Sequence, residues 1–274
     1  MPTAATEIPR FRRLLLTGAA GNLGRSLRQR LGRVCEQLRL SDIRPMEAAG
    51  DREEVVVAAL DDADAVDALL EGCDAVVHMG GVSTEGPWAP ILAANIVGVH
   101  NLYEAARQAG TKRIVFASSN HATGFYPQTE VVSPRDVTRP DGNYGVSKVF
   151  GEALSRFYFD RYGIETACLR IGSSFPEPTD RRMLATWLSY DDLERLVSAC
   201  LTAPVVGHSI VYGMSANPRV WWDNTPAAHL GFRPEDSSEP FRAALEKAQP
   251  WIDPEDPLVK WQGGKFCAMG PYER

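Results

Sequence analysis

The chain has 274 residues, of which 44% are apolar and 23% charged, and its net charge is −6. This balance is typical of a globular protein with a sizeable core, and the acidic charge argues against a general nucleic-acid binder. The five cysteines are scattered without a CxxC pair, and no apolar run reaches the length of a signal segment or a membrane span, so we expect reduced thiols, no metal site and a cytoplasmic protein without a membrane partner.

Short apolar strands alternate with helical patterns over the first two thirds of the chain. Strands are predicted at residues 13–17, 38–42, 55–59, 75–79, 113–117 and 166–171. Helices are predicted at residues 23–31, 64–70, 89–109 and 144–162. This alternation is typical of a parallel sheet with helices on both faces, and it predicts a doubly wound, Rossmann-like α/β fold.

The regular alternation ends after residue 171. The remaining residues contain many prolines and most of the tryptophans. We therefore predict two domains, a Rossmann-like domain over residues 1–171 and a smaller C-terminal lobe over residues 172–274. Open parallel sheets bind ligands at the carboxyl ends of their strands, so the smaller lobe is expected to bind the substrate there.

A glycine-rich loop joins the first predicted strand to the first helix. Gly18 permits a tight turn, Gly21 lets the backbone approach a pyrophosphate, and Gly24 lets the helix pack close to the strand. Asp42 ends the second strand, where a carboxylate accepts hydrogen bonds from the adenosine ribose and repels the 2′-phosphate of NADP. Arg44 could hold that phosphate instead. The pattern predicts an NAD site, the alternatives being a glycine turn without a ligand and a plain turn residue at 42.

Tyr144 and Lys148 begin the long predicted helix and, being four residues apart, share one helical face. A lysine cation is expected to lower the pKa of the phenol from its ordinary value near about 10. The pair is then a plausible general base for a hydroxyl proton. Ser118 and Ser119 end the fifth strand, where a hydroxyl can hold the reacting oxygen. Any surface helix can contain YxxxK, but the glycine loop, the acid and the serine pair favour a catalytic role.

Several stretches resemble a known family. TGAAGNLG, FASSN and YGVSK resemble the extended short-chain dehydrogenase/reductase superfamily, and SSNH, RMLATW and WWDN resemble its uronate dehydrogenases more narrowly. The resemblance covers nearly the whole chain. It implies NAD-dependent oxidation of the C1 hydroxyl of cyclic D-galacturonate or D-glucuronate to an aldarolactone, by a protein that forms a homo-oligomer.

The resemblance also implies roles for individual residues. Tyr144 is the expected general base, Lys148 binds the nicotinamide ribose, and Ser119 hydrogen-bonds the reacting oxygen. The implied cofactor contacts are Gly18, Gly21, Asn22, Leu23, Gly24, Asp42, Leu60, Tyr144 and Lys148. The implied substrate contacts are Ser83, Ser119, Asn120, His121, Tyr144, Ser173 and Arg182. The guanidinium fork of Arg182 matches a carboxylate, although a surface arginine is the alternative.

Some alternatives stay open at this point. His121 is either a hydrogen-bonding partner of the substrate, which we favour, or a second acid/base. Asn95 is either a sheet-bridging polar residue or a buried amide, and the tryptophans at 221 and 222 are expected to pack in a core rather than stack on a sugar. For the whole chain, the alternatives are a nucleotide-sugar epimerase or reductase and a non-catalytic NAD-sensing protein.

Overall fold

A computed structural model describes residues 11–48, 50–249 and 253–272. Its sheets are built from nine strands: β1 Phe11–Thr17, β2 Cys35–Asp42, β3 Glu53–Val57, β4 Ala75–His78, β5 Arg113–Ser119, β6 Glu165–Ile171, β7 Ser173–Ser174, β8 Trp187–Leu188 and β9 His208–Gly213. Seven of them form one parallel sheet in the order β3-β2-β1-β4-β5-β6-β9, and β7 pairs with β8. The strand order reverses between β1 and β4, which opens a crevice at the carboxyl ends of these strands.

Helices cover both faces of the sheet. They are α1 Asn22–Leu31, α2 Ala63–Leu70, α3 Trp88–Ile91, α4 Gly98–Ala109, α5 Asn143–Tyr162, α6 Met183–Thr186, α7 Tyr190–Thr202, α8 Arg242–Ala248 and α9 Pro257–Lys260. The predicted doubly wound, Rossmann-like fold is confirmed. Among the described residues, no helix is both long and apolar enough to cross a bilayer.

Strand β1 shows why the strand segments read as unbroken apolar runs. Leu14 and Leu16 belong to the core cluster on one face of the sheet, and Leu15 belongs to the cluster on the other face. All three side chains are fully buried. Because helices cover both faces, neither set of alternate residues meets water, and the alternation of apolar and polar residues disappears.

The helix predicted at residues 89–109 is interrupted. After α3 the backbone takes a π-helical turn over Leu92–Val97 before α4 begins. Asn95 lies within this turn and is buried; its amide oxygen accepts from the Val82 amide at 2.8 Å and its nitrogen donates to the Val82 carbonyl at 2.9 Å and to Ser147 Oγ at 3.0 Å. Of the two interpretations of Asn95, the structure therefore supports the buried amide. Its hydrogen bonds connect the loop at residues 80–87 to α5.

The main sheet continues beyond residue 171. Strand β9, which the sequence analysis does not predict, pairs in parallel with β6 along its whole length. It begins with the polar pair His208 and Ser209, has only Ile210, Val211 and Tyr212 as apolar residues, and lies outside the regular alternation of strands and helices. Part of the C-terminal segment therefore belongs to the sheet, and the division into two domains at residue 171 stays a prediction.

A third core cluster lies at the carboxyl edge of the sheet. Trp221 and Trp222 are 2% and 1% exposed and pack with Tyr212, whose ring stacks on Trp222 at 4.9 Å. The prediction that these tryptophans pack in a core is confirmed. The indole nitrogen of Trp222 donates to Gln262 Oε1 at 2.8 Å, so this cluster also holds the C-terminal segment in place.

Gln262 anchors the C-terminal segment at the same edge. Its buried side chain donates to the carbonyls of Pro127 and Glu130 at 3.1 and 2.8 Å, while its backbone amide donates to the Tyr126 carbonyl at 2.9 Å. The following short helix, Gly264–Ala268, carries Phe266 back to the end of β5. The last described part of the chain thereby completes the edge at which β5 and α5 meet.

Candidate active site

The glycine loop has the close backbone packing that the spacing predicts. Gly18 has a φ of +68°, and a Cβ on it would lie 2.6 Å from the carbonyl of Met79. A Cβ on Gly24 would lie 2.1 Å from the carbonyl oxygen of Gly18. Helix α1 begins at Asn22, and its N-cap Gly21 offers no side-chain hydrogen bond. The first amides of α1 are therefore available to an anion, which fits a dinucleotide pyrophosphate.

Asp42 lies beside this loop. One of its oxygens accepts from the Ala20 amide at 3.1 Å, the other accepts from the Arg44 amide at 3.0 Å, and the side chain is 9% exposed. The Arg44 guanidinium reaches Asp42 at 3.5 Å and is 58% exposed. Leu60 packs against Gly80 and Gly98 at the neighbouring strand end, where a Cβ on Gly98 would lie 2.6 Å from its Cβ. The Asp42 carboxylate and the uncapped start of α1 together have the geometry of a dinucleotide cradle, with an acceptor for ribose hydroxyls and free amides for a pyrophosphate.

Tyr144 and Lys148 lie on the first two turns of α5 and are buried, at 7% and 5% exposure. The Lys148 Nζ is 5.4 Å from the centre of the Tyr144 ring and 5.4 Å from that of Phe116. The carboxyl end of β5 places Ser119, which is 4% exposed, close enough for its hydroxyl to lower the pKa of Tyr144. The three predicted catalytic side chains thus lie at the carboxyl edge of the sheet.

Burial controls the titration of these groups. It raises the pKa of Tyr144 to about 12 and lowers the pKa of Lys148 to about 8, because each charged form is poorly solvated there. The expected lowering of the Tyr144 pKa by Lys148 is therefore wrong for the chain without a bound cofactor. Desolvation of the phenolate outweighs the hydrogen bond with Ser119.

Glu85 is a buried carboxylate at the start of α5 that the sequence analysis missed. It accepts from the Asn143 amide at 3.0 Å and from the Tyr144 amide at 2.8 Å. An acid at this position stabilises a helix N-terminus. Ser83 lies exposed two residues earlier on the same loop. Glu85 therefore fixes the Ser83 loop against the helix that carries Tyr144, a role that no local pattern reveals because its partners are distant in sequence.

Arg182 donates hydrogen bonds to two other residues that were predicted to contact the substrate. Its Nε donates to the Gln262 carbonyl at 2.6 Å and its Nη1 to Ser173 Oγ at 3.1 Å. The Asn120 amide, oriented to satisfy both its groups, accepts from Arg182 Nη2 at 2.8 Å and donates to the Ile171 carbonyl at 3.0 Å. All the partners of the guanidinium are neutral, and among residues 11–48, 50–249 and 253–272 no carboxylate lies within ion-pair distance of it.

His121 completes the site. Its ring stacks on Phe266 with 3.9 Å between centroids and meets the Tyr144 ring edge-on at 5.8 Å. Its Nδ1 lies 2.6 Å from Asp141 Oδ2. Burial lowers the pKa of His121, although the hydrogen bond with Asp141 opposes this effect. Asp141 and Phe266 were not predicted. Asp141 lies three residues before Tyr144, Phe266 lies in the C-terminal segment, and neither position has a distinctive local pattern.

Known proteins are similar to this chain over nearly its whole length. Residues 14–190 match the model of the NAD dependent epimerase/dehydratase family. A uronate dehydrogenase of Pseudomonas putida is 59% identical over 96% of this chain and 98% of its own. The crystal structure of a glucuronic acid dehydrogenase from Chromohalobacter salexigens has a TM-score of 0.93 and 52% identity, covering 95% of this chain and 98% of that chain. An Agrobacterium tumefaciens uronate dehydrogenase variant solved with NAD gives the same TM-score of 0.93 and 52% identity, over 96% and 99% of the two chains.

Proposed function

The chain belongs to the NAD-dependent epimerase/dehydratase family, and on that premise we propose that it oxidises the C1 hydroxyl of a cyclic hexuronic acid to an aldarolactone. It is an NAD-dependent oxidoreductase that groups with the uronate dehydrogenases. D-galacturonate and D-glucuronate are the proposed substrates. The observation that carries this proposal is the guanidinium of Arg182, which has no carboxylate partner within the part of the chain that the structure describes.

A guanidinium that is partly removed from water needs a counter-charge or several good acceptors. Burial lowers the pKa of Arg182, although the more distant charges of Asp180 and Asp141 oppose this effect, and its hydrogen bonds within the described residues all end on neutral oxygens. These partners fix the plane of the fork without neutralising it. A carboxylate offers two oxygens in the matching geometry, so the C6 carboxylate of a uronic acid supplies the missing charge.

Tyr144 is the proposed general base. It takes the proton of the C1 hydroxyl on its phenolic oxygen, while Ser119 holds the hydroxyl oxygen in place. Bound NAD supplies the acceptor for the hydride that C1 loses. Lys148 has a pKa of about 8 and is therefore largely charged at neutral pH, and its proposed role is to hold the nicotinamide ribose. The Arg182 contact positions the ring so that C1, rather than another carbon, faces this group.

The two alternative functions have less support. For a nucleotide-sugar epimerase or reductase, the similarity points elsewhere: the uronate dehydrogenases that match this chain are 54–59% identical over 93–99% of it. A non-catalytic NAD-sensing protein has no need of a buried lysine four residues from a buried tyrosine, and this chain has both. The homo-oligomeric state and the cytoplasmic location stay predictions.

Kinetics of Arg182 variants test the proposal. We expect Arg182→Ala to lose about one to two powers of ten in kcat/KM for galacturonate, since a charged hydrogen bond contributes about 1.5–3 kcal/mol. Arg182→Lys should recover only part of this loss, because an ammonium keeps the charge without the fork. Arg181→Ala is the matched control: Arg181 bonds the backbone of Gln249 away from the site. NADH formation gives the rates.

Galactose, which lacks the carboxylate, is the second substrate in this experiment. It should be a poor substrate for the wild type, and its kcat/KM should change little when Arg182 is lost. If the wild type oxidises galactose as efficiently as galacturonate, Arg182 does not bind a carboxylate and the uronate proposal fails.

A further inference from the structure

Asp141 and His121 form a pair that the proposed chemistry does not by itself require. The Asp141 side chain is fully buried, and its Oδ2 lies 2.6 Å from His121 Nδ1. Its other oxygen, Oδ1, is buried and has no hydrogen-bonding partner among the described residues. A buried carboxylate with one oxygen unpaired is costly, so its one contact, with His121, needs a functional explanation.

The chain keeps space for this carboxylate. A Cβ on Gly124 would lie 1.9 Å from Asp141 Oδ2, and a Cβ on Gly263 would also lie 1.9 Å from that oxygen. A Cβ on Gly145 would lie 3.2 Å from Oδ1. Glycines therefore line the slot on three sides, from the segment after β5, from the start of α5 and from the C-terminal segment. No larger residue fits at 124 or 263 while Asp141 holds its position.

The opposite edge of the His121 ring is free. Nε2 makes no hydrogen bond within the described chain, yet it is not among the buried unpartnered atoms, and 12% of the side chain is exposed. The ring itself is fixed between Phe266, which stacks on its face, and Tyr144, which it meets edge-on. The exposed edge therefore lies in the site beside the proposed general base.

We propose that Asp141 is a positioning residue that holds His121 in its neutral Nδ1–H form, so that the bare Nε2 accepts a hydrogen bond from a ring hydroxyl of the sugar acid. This inference rests on the proposed function. A carboxylate acts only as an acceptor, so the ring nitrogen that faces it must carry the proton. The other nitrogen of a neutral imidazole is then an acceptor.

The charges around His121 agree with a neutral ring. Asp141 and Glu85 favour the protonated imidazole, while the Arg182 guanidinium and burial oppose it, and the net effect lowers the pKa of His121. As a neutral acceptor, His121 would recognise a different group of the substrate than Arg182 does. Arg182 donates to the carboxylate, and His121 requires a group that donates, which a hydroxyl does and an ether or a fluorine does not.

The protonation of His121 can be measured without substrate. Nitrogen NMR of isotope-labelled histidine distinguishes the Nδ1–H form, the Nε2–H form and the imidazolium, and His121→Asn identifies the signal. We expect the Nδ1–H form in the wild type and the Nε2–H form in Asp141→Leu, which removes the acceptor. Asp141→Asn, which keeps an acceptor oxygen without the charge, should keep the Nδ1–H form. An imidazolium or an Nε2–H ring in the wild type overturns the proposal.

Kinetics then connect the ring to the substrate. We expect Asp141→Leu to lower kcat/KM for galacturonate about tenfold, mainly through KM, the usual scale for a lost hydrogen bond that leaves a partner unpaired. In a His121→Asn background the same substitution should have no further effect, whereas an additional loss of similar size means that Asp141 does not act through His121. Asp160→Asn, which removes an equal charge from an exposed position on α5, is the control and should match the wild type.

Galacturonates with fluorine at C2, C3 or C4 identify the hydroxyl. The wild type should discriminate strongly against one of the three, relative to galacturonate, and His121→Asn should lose that discrimination. If the two proteins rank the three analogues alike, Nε2 accepts no ring hydroxyl and the proposal fails. A wild type that oxidises no uronate would refute the proposed function instead, while the NMR result would still decide the pairing of Asp141 with His121.

Discussion

The charge of Lys148 destabilises the fold that holds it. Burial lowers its pKa from 10.5 to about 8, and each pKa unit corresponds to about 1.4 kcal/mol. At pH 7 the charged lysine therefore costs the folded state roughly 3 kcal/mol. Lys148→Met keeps the length of the side chain without its charge. We expect it to raise the free energy of unfolding of the cofactor-free protein by about 2 kcal/mol, because lost cation contacts with Phe116 and Tyr144 offset part of the gain.

This gain should depend on pH. Between about pH 8 and 10.5 the folded protein binds fewer protons at Lys148 than the unfolded chain does, so the cost of the lysine falls as the pH rises and is gone above that window. At pH 9.5 only about two fifths of the pH 7 cost should be left, so the gain from the substitution should be smaller there. The variant should also lose most of its activity, which makes Lys148 a residue at which function is kept at the expense of stability.

Urea unfolding followed by tryptophan fluorescence, at pH 7 and pH 9.5, measures the difference. In thermal unfolding at pH 7 the midpoint should rise by about 5 °C, given roughly 2–4 °C for each kcal/mol in a domain of this size. Lys112→Met, at an exposed position, is the control and should change neither value. No gain at pH 7, or an equal gain at both pH values, would refute the reasoning.

Two further predictions concern the chemistry. Tyr144→Phe should lower turnover at least about 100-fold, the scale of a lost general base, while NADH binding measured by fluorescence is kept; turnover near the wild-type rate would make His121 the base instead. The wild type should prefer NAD to NADP in kcat/KM, and Asp42→Ala should narrow that preference, since the carboxylate held by the loop no longer repels a 2′-phosphate and Arg44 is released from it. Equal wild-type rates with the two cofactors would contradict the role of Asp42.

The layered fold could be predicted because its signal is local. A strand such as β1 is apolar on both faces, and the glycines at 18 and 24 mark backbone that approaches other backbone. The interruption at Leu92–Val97 could not be predicted in this way. Asn95 lies within it, and its partners Val82 and Ser147 lie in other elements that are distant in sequence.

The same distinction between local and distant signals applies to the residues of the candidate active site. Tyr144 and Lys148 stand out because one helix turn places both on one face. Glu85 and Asp141 have no such pattern: each is an ordinary acid in a loop until the fold places it beside the start of α5 or the ring of His121. Motif spacing identifies catalytic candidates such as Tyr144 and Lys148 from the sequence. The residues that hold the site in position are visible only in the tertiary structure.

The anchoring of Gln262 has a consequence for the order in which the protein matures during synthesis. The glycine loop, Asp42 and all seven strands of the main sheet precede residue 214. Arg182 bonds the backbone of Gln262, and Phe266 packs on His121, so the proposed sugar-binding end of the site needs residues translated about fifty positions later. A nascent chain therefore contains every residue of the dinucleotide cradle before it contains the residues that contact Arg182 and His121 from the C-terminal segment.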